Sequence, residues 1–560
     1  MQETLIQAAL ATAFAATAAI GVAGALKLKQ RLELSRAKHP SLAGHVRWSQ
    51  RMARWLPGYD YREEDWLRLD GAPDEVVARR AAAFGRLAGA LTEASPQTLA
   101  QAARMKPHLP DMQFLAQYRM PFQFRARVSE RLPLASIWAA TDDAWLVDLD
   151  GRRFLDATGS YGVNLFGNDF YKQTLGEGAA LAHDLGALLG SYHPCVEEAV
   201  GRLLRIARKD QVTFHMSGTE AVMQAVRVAR YNAPAGRRKL VRFTGAYHGW
   251  WDDVQPGPGN PMPPARHTLT VAEMSERTLH VLRTRNDIAC VLVNPLQAMH
   301  PNRAAPGDST LVDGQRSAGY DRAAYTRWLQ QLREVCSARG IALIFDEVFL
   351  GFRLAPGGAQ EYFGVEADLV TYGKTLGGGL PIGAVCGKAE WMRRFKPGKP
   401  ADICFARGTF KEHPQVMACM TAFLRRLDTP AIAAAYQDAQ GRWAERLAVF
   451  NGLLQKAGVP VHAVGMETVW TLCFRQPGRY HWLLQYYLRR HGVALSWVGS
   501  GRMIFPINWS DEIFEAFCRR VVNAAQAMAA DGWWWLPPGG LSAPAIRRQV
   551  LREMLGARRG

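Results

Sequence analysis

Three stretches of this 560-residue chain carry residue types that chemistry uses. Ser217-Gly218-Thr219 opens a run whose apolar positions Val222, Ala225, Val226 and Ala229 recur at helical spacing. Hydroxyls, free N–H groups and the positive dipole end of a helix start together make an anion cradle. In IALIFDEVFLGFR an apolar run delivers Asp346 and Glu347. Such an acid pair can bind a metal, act as acid or base, or end a strand in solvent. In DLVTYGKTLGGGLPIGA, Lys374 stands between an apolar run and Gly377-Gly378-Gly379. A partly desolvated amine loses proton affinity and becomes a nucleophile, which is what a Schiff-base lysine requires. The glycines let backbone approach a bulky ligand. Each stretch also has a bland reading: a helix cap, a strand end, a surface lysine in a glycine-rich loop.

The elements that must position these residues are legible around them. WLVDLDGRRFLDA alternates about an Asp150-Gly151 turn, a hairpin signal. Helical segments then alternate with the apolar runs KLVRF, ACVLVNP, IALIFDE and DLVTYG. That alternation predicts an α/β domain with a largely parallel sheet, whose ligands bind beyond the carboxyl ends of strands. An anion cradle, a strand-end carboxylate and a desolvated lysine, in that order, are the set that pyridoxal phosphate needs. The lysine meets its aldehyde, the carboxylate keeps its pyridine nitrogen protonated, and the helix terminus takes its phosphate.

Through SGTEAVMQAVRVAR, FTGAYHGWWDD, IFDEVFLGFR, YGKTLGGGLPIGA and RGTF, the chain resembles class III aminotransferases, the fold-type I pyridoxal phosphate enzymes. Within them it is most similar to the glutamate-1-semialdehyde 2,1-aminomutases. The likeness runs from about Pro133 to Met528. It implies a large domain on a mostly parallel sheet and a smaller α+β terminal domain. It also implies Lys374 as the Schiff-base lysine and proton carrier, Asp346 on the pyridinium nitrogen, and Tyr247 on the cofactor ring. Ser217, Gly218, Thr219 and His248 complete the cofactor set. Thr409 reaches the phosphate of a neighbouring subunit, so the resemblance implies a homodimer. The expected divisions are a hydrophobic helix at 1–30, a basic linker and helical extension at 31–130, a first small-domain segment at 131–170, the cofactor-binding domain at 171–400, the small domain at 401–530 and a Trp/Arg-rich tail at 531–560.

Departures from the family pattern fall on the substrate side. Asn294 stands where Glu is frequent, and Phe349 where many aminotransferases have Gln. Phe410-Lys411-Glu412-His413-Pro414 replaces a run of small residues. GRMIFPINWSDE places Arg502 out of register with the arginine that holds an α-carboxylate in many relatives. The resulting expectation is an aminotransferase moving an amino group from a small-molecule donor to an apolar aldehyde or ketone. The alternatives are a 2,1-aminomutase and an inactive scaffold of the same fold.

The bulk properties add bounds. Eight scattered cysteines form no CxxC pair, so no metal site is expected. The net charge of +18 gathers at the ends: Lys27 to Arg54 holds eight Lys/Arg against one acid, Glu33, and the tail holds Arg547, Arg548, Arg552, Arg558 and Arg559. No nucleic-acid motif accompanies this charge, so no nucleic-acid partner is expected. Residues 4–26 carry no charge and precede the basic cluster. That order predicts a membrane-type helix holding the protein at the cytoplasmic side of the cell membrane, not a secretory signal, with an Ala-rich helix packed on the protein or in a dimer interface as the alternative. The triplet Trp533-Trp534-Trp535 suits either a headgroup interface or a cap on the C-terminal core.

Overall fold

The computed structural model describes residues 2–302, 318–496 and 501–557, with 2–17 and 557 described by backbone alone. Arg558 and Arg559 lie outside the described residues.

A seven-stranded sheet holds the centre, in the order β4 (Gln211–His215), β10 (Gly383–Gly387), β9 (Leu369–Gly373), β8 (Ala342–Asp346), β7 (Ile288–Val293), β5 (Lys239–Phe243) and β6 (Thr268–Val271). Five of these run parallel side by side, and β10 is antiparallel to both β9 and β4. The four apolar runs of the sequence are β5, β7, β8 and β9. Parallel strands covered on both faces read as unbroken apolar runs, and every residue of β7, β8 and β9 is buried. Each buried Val, Leu, Ile or Phe there contributes about 1.5–3 kcal/mol.

The smaller sheets flank this core. β1 (Ala140–Asp142), β2 (Trp145–Val147) and β3 (Arg153–Asp156) form an antiparallel ribbon, and β2 pairs with β3 across the expected turn. Asp148 Oδ1 accepts the N–H of Asp150 and of Arg152, and Gly151 takes a φ of +76°, which closes that turn. A short hairpin joins β11 (Phe395–Lys396) to β12 (Lys399–Ile403). A third sheet joins β13 (Val461–Met466), β14 (Val469–Phe474) and β16 (Arg502–Ile504). β15 (Val493–Ala494) returns to lie parallel against β3.

The N-terminal region reads as helical, and it is: α1 (Gln2–Ala37), α2 (Val46–Trp55) and α3 (Asp74–Ala94) lead into the first ribbon. The extension does more than link. Its Tyr61, Trp66, Phe84 and Leu87 share one buried cluster with Trp443, Trp470, Trp482 and Trp533 of the C-terminal region. The two readings of the tryptophan triplet are thereby decided for Trp533 and Trp534. They are 2% and 8% exposed, and the Trp533 indole donates to Tyr487 Oη at 2.8 Å, so they cap a core and do not face a headgroup layer.

The expected membrane span at 4–26 finds no support in the fold. Among the described residues no helix is long and apolar enough to cross a membrane, and residues 4–17 of that segment lie outside the described side chains. What is described is a helix whose far end docks on the body. Ala37 is buried, its carbonyl accepts the Ala272 N–H at 2.8 Å, and Glu33 pairs with His280 at 3.2 Å.

Candidate active site

The carboxyl ends of β4, β5, β7, β8 and β9 lie on one side of the central sheet, and the residues singled out in the sequence follow them. β4 ends at His215, and Ser217 caps the helix Gly218–Asn232. Its φ of −149° and ψ of 160° are those of an N-cap, and its Oγ accepts the Glu220 N–H at 3.2 Å. Glu220 reaches back to the Met216 N–H at 2.9 Å, a close variant of the capping box. The cap leaves the N–H groups of Gly218 and Thr219 without acceptors inside the helix, in a half-buried position. Gly218 is required by packing: a Cβ there would stand 2.5 Å from Val348 Cγ1.

Lys374 follows β9 directly. In register, Gly383 of β10 faces Gly373 on one side and His215 on the other. One strand therefore separates Lys374 from the Ser217 cap, about 10 Å at ordinary strand spacing. The lysine is half-buried and holds a φ of +49°, in the left-handed region that non-glycine residues avoid. Burial pushes its amine down to about 8, Asp346 works the other way, and Arg502 and Arg353 add to the lowering. Its Nζ stands 5.2 Å from the centre of the Phe349 ring.

Asp346 ends β8 and is 4% exposed. Its Oδ1 accepts from the Val348 N–H at 3.2 Å and the Thr371 hydroxyl at 3.3 Å. Its Oδ2 lies 2.8 Å from His248 Nδ1. Burial holds the His248 pKa below its ordinary value, with the buried Arg242 adding to the effect. A neutral imidazole facing an acceptor-only carboxylate carries its proton on Nδ1. His248, read from sequence as a cofactor contact, thus braces Asp346 from behind, and its buried Nε2 has no hydrogen-bond partner among the described residues. Tyr247 is 57% exposed beyond β5. Asn294, the departure after β7, donates to the Tyr247 carbonyl at 3.0 Å and caps the turn that follows. Thr409 is exposed, and the structure does not bring it into this cluster.

Four residues at the site had escaped assignment. Ser160 and Tyr161 hold φ values of 45° and 57°, and Gly162 of +95°. Consecutive left-handed residues cost about 1–3 kcal/mol each and gather at functional sites. A Cβ at Gly162 would stand 2.7 Å from the Phe349 ring and 3.3 Å from Lys374 Cδ. Arg353 is 2% exposed. It donates to Thr468 Oγ1 and the Phe505 carbonyl at 2.8 Å, and to the Asn164 carbonyl at 3.0 Å. It fastens the segment after β8 to the C-terminal region and to the Gly162 segment at once. Arg353→Met is expected to cost about 3 kcal/mol or more, because at least three buried acceptors lose their donor. Urea unfolding measures it, and an unchanged midpoint would refute the role.

Arg502 starts β16, its guanidinium lies 5.8 Å from the Phe349 ring centre, and its charge adds to the lowering at Lys374. Glu347, the other acid of the pair, turns away: it is fully buried, accepts the Ala359 N–H at 2.6 Å, and burial raises it to about 7. Among the described residues no group of His, Cys, Asp and Glu could hold a metal ion.

The set fits pyridoxal phosphate on its chemistry: open helix-start amides for a phosphate, a braced carboxylate for a ring nitrogen, and an amine of lowered proton affinity between them. The comparisons agree. The chain is similar to glutamate-1-semialdehyde 2,1-aminomutase of Methanococcus maripaludis, 35% identical over 304 residues, which takes in 51% of this chain and 65% of that one, just under two thirds of its length. It is similar in fold to a solved transaminase with PLP bound, at 26% identity and a TM-score of 0.59 over 71% of this chain and 92% of that one. It is likewise similar to the β-phenylalanine aminotransferase of Variovorax paradoxus, at 25% identity and a TM-score of 0.62 over 81% and 98%. The model of the family named aminotransferase class-III matches residues 127–524, most of the chain, and the chain belongs to that family.

Proposed function

We propose that the protein is a pyridoxal 5'-phosphate-dependent aminotransferase that moves an amino group onto a carbonyl substrate. The observation that carries this reading is the convergence of the Ser217 cap, the His248-braced Asp346 and Lys374 at neighbouring strand ends. When bound, the cofactor supplies an aldehyde that captures amines and a ring that takes up an electron pair released at the substrate carbon. The chain's own residues do the rest. The Gly218 and Thr219 amides and the Ser217–Thr219 hydroxyls bind the phosphate. Asp346 holds a proton at the ring nitrogen, and His248 fixes the carboxylate that does so. Tyr247, exposed beyond β5, would be available to the ring. Lys374 would hold the cofactor covalently and would serve as the base at the substrate Cα. Its amine, at about 8, is substantially unprotonated under mildly basic conditions. Phe349 and Gly162 close the wall beside it and exclude water.

The substrate reading changes with Arg502. Phe349 offers an apolar wall, in keeping with an apolar carbonyl compound, and Arg502 beside it favours one that also carries a carboxylate or similar anion. Arg502→Gln is expected to raise KM for keto acids about 10- to 100-fold, the worth of one charge-assisted hydrogen bond, and to leave uncharged aldehydes within a factor of about two. Equal loss on both classes would sink this assignment. The likeness to aminomutases favours a second reading, amino transfer within one molecule, and full turnover with no external amine donor would establish it.

Two assembly readings go with this function. Thr409 stands exposed, suited to the phosphate site of a second copy in a homodimer. The uncharged stretch 4–26 with its following cations supports contact with a membrane from the cytoplasmic side. Quantitative release of the full chain from membranes by alkaline carbonate would dismiss a spanning segment.

A further inference from the structure

Away from the catalytic cluster, two helices put large apolar side chains into solvent among arginines. α2 is fastened through Gln50, whose Nε2 donates to the carbonyls of Gly257, Asn260 and Met262 at 3.2, 3.1 and 3.0 Å. On the opposite face Trp48, Met52 and Trp55 recur at i, i+4 and i+7, and they are 54%, 38% and 58% exposed. Leu42 and Leu56, just beyond the two ends, are about half exposed as well. Arg47, Arg51 and Arg54 interleave with them, and the Arg51 guanidinium lies 5.6 Å from the Trp48 ring.

The second helix, Ala543–Ala557, is docked through Gln549 and Glu553. Arg479 donates to them at 2.6 and 2.8 Å, and the Tyr59 and Tyr61 hydroxyls donate to Glu553 at 3.2 and 3.1 Å. Its outward side carries exposed Leu551 and Leu555 with exposed Arg548 and Arg552. Tyr59 is four residues past Trp55, so the end of α2 lies within about 14 Å of this docking point.

A single exposed leucine is ordinary, but a Trp-Met-Trp stripe on a helix whose other side is fastened marks an interaction surface. We propose that α2, with the helix Ala543–Ala557 beside it, lies in the headgroup layer of an anionic lipid bilayer. Trp48, Met52 and Trp55 enter the acyl boundary, and the arginines meet lipid phosphates. Charge selects this occupant over a second copy of the chain. α2 carries Arg47, Arg51 and Arg54 and no acid, so two such faces would oppose like charges, whereas a phosphate layer supplies the missing sign. The proposal is independent of the reaction and of where residues 4–26 sit.

All eight native cysteines are buried. A Trp48→Cys or Trp55→Cys full-length chain therefore accepts a polarity-sensitive fluorophore at one place. Each labelled chain is mixed with vesicles of phosphatidylcholine alone, or with about one-third phosphatidylglycerol. The expected result is a blue shift and a rise of about twofold or more on anionic vesicles only, reversed by high salt. Adding Arg47→Gln, Arg51→Gln and Arg54→Gln is expected to weaken vesicle affinity about tenfold or more. Labels that stay unchanged on anionic vesicles overturn the proposal. A shift that needs no vesicles and grows with protein concentration gives the face to a second copy and overturns it equally. Unchanged thermal unfolding of each variant shows that the fold is intact.

Discussion

Lys374→Ala is expected to lower turnover by about 10⁴-fold or more, because one amine serves as both covalent anchor and proton carrier. The variant folds, since the side chain is half-buried at the mouth of the sheet and no hydrogen bond of the core depends on it. It still binds pyridoxal phosphate through the Ser217–Thr219 cradle, but borohydride fixes no cofactor on the chain. In the parent protein the same reduction labels one peptide, and that peptide contains residue 374. The rate of covalent capture should rise with pH through an inflection near 8, where burial and the neighbouring arginines have set the amine. An inflection above 10 would mean that the lysine is solvated and the desolvation argument is wrong. Label found on another lysine would displace Lys374 from the mechanism altogether.

The second large effect belongs to the braced carboxylate. Asp346→Asn keeps the size but offers one acceptor where the carboxylate has two, so either the His248 Nδ1–H or the Val348 N–H loses its partner, at a cost of about 1–3 kcal/mol. An amide also cannot hold a proton at a ring nitrogen, and turnover should fall about 10³-fold. His248→Ala removes the brace at 2.8 Å without touching the charge, and about tenfold of that loss is expected, appearing in kcat and not in KM. The cofactor's visible absorption supplies a readout that packing damage would not imitate: Asp346→Asn should shift the spectrum at fixed pH, and Arg353→Met should not. Turnover of Asp346→Asn within about threefold of the parent would remove this carboxylate from the cofactor's ring.

How much of this was legible in the sequence depended on how local each cause is. β5, β7, β8 and β9 were readable because a strand buried on both faces leaves an unbroken apolar run. Asp346 and Lys374 were readable because each ends or follows such a run, where the α/β fold places its ligands, and Ser217 because apolar residues at helical spacing begin just after it. The nearness of Arg502 to Phe349 and the bonds of Arg353 were not legible, because both depend on how the C-terminal region folds back across Phe349. The left-handed turn at Ser160 and Tyr161 had no sequence signal, since neither is a glycine. His248 was noticed as a cofactor residue, but its bond to Asp346 joins positions 98 residues apart and left no sequence signal. The tryptophan triplet was ambiguous until Trp66, from some 470 residues earlier, was seen stacked 6.2 Å from Trp533.

β15 pairs in parallel with β3, joining Val493 to Leu155 and Ala494 to Asp156. These partners are made far apart in time. On a ribosome, β3 emerges and waits while roughly 340 further residues are translated, a span of about half a minute at ordinary elongation rates. The central sheet has all its strands by Gly387 and can form in that interval. The first ribbon, the extension and their apolar residues Trp66, Phe84 and Leu87 cannot be covered until the last quarter of the chain arrives. A chain stalled or cut near residue 400 would therefore hold every strand of the central sheet, while its core still lacks Met417, Met420 and Phe423 and the second core stands largely uncovered. The nascent protein's exposure to chaperones and aggregation is set by this late closure, not by the catalytic domain.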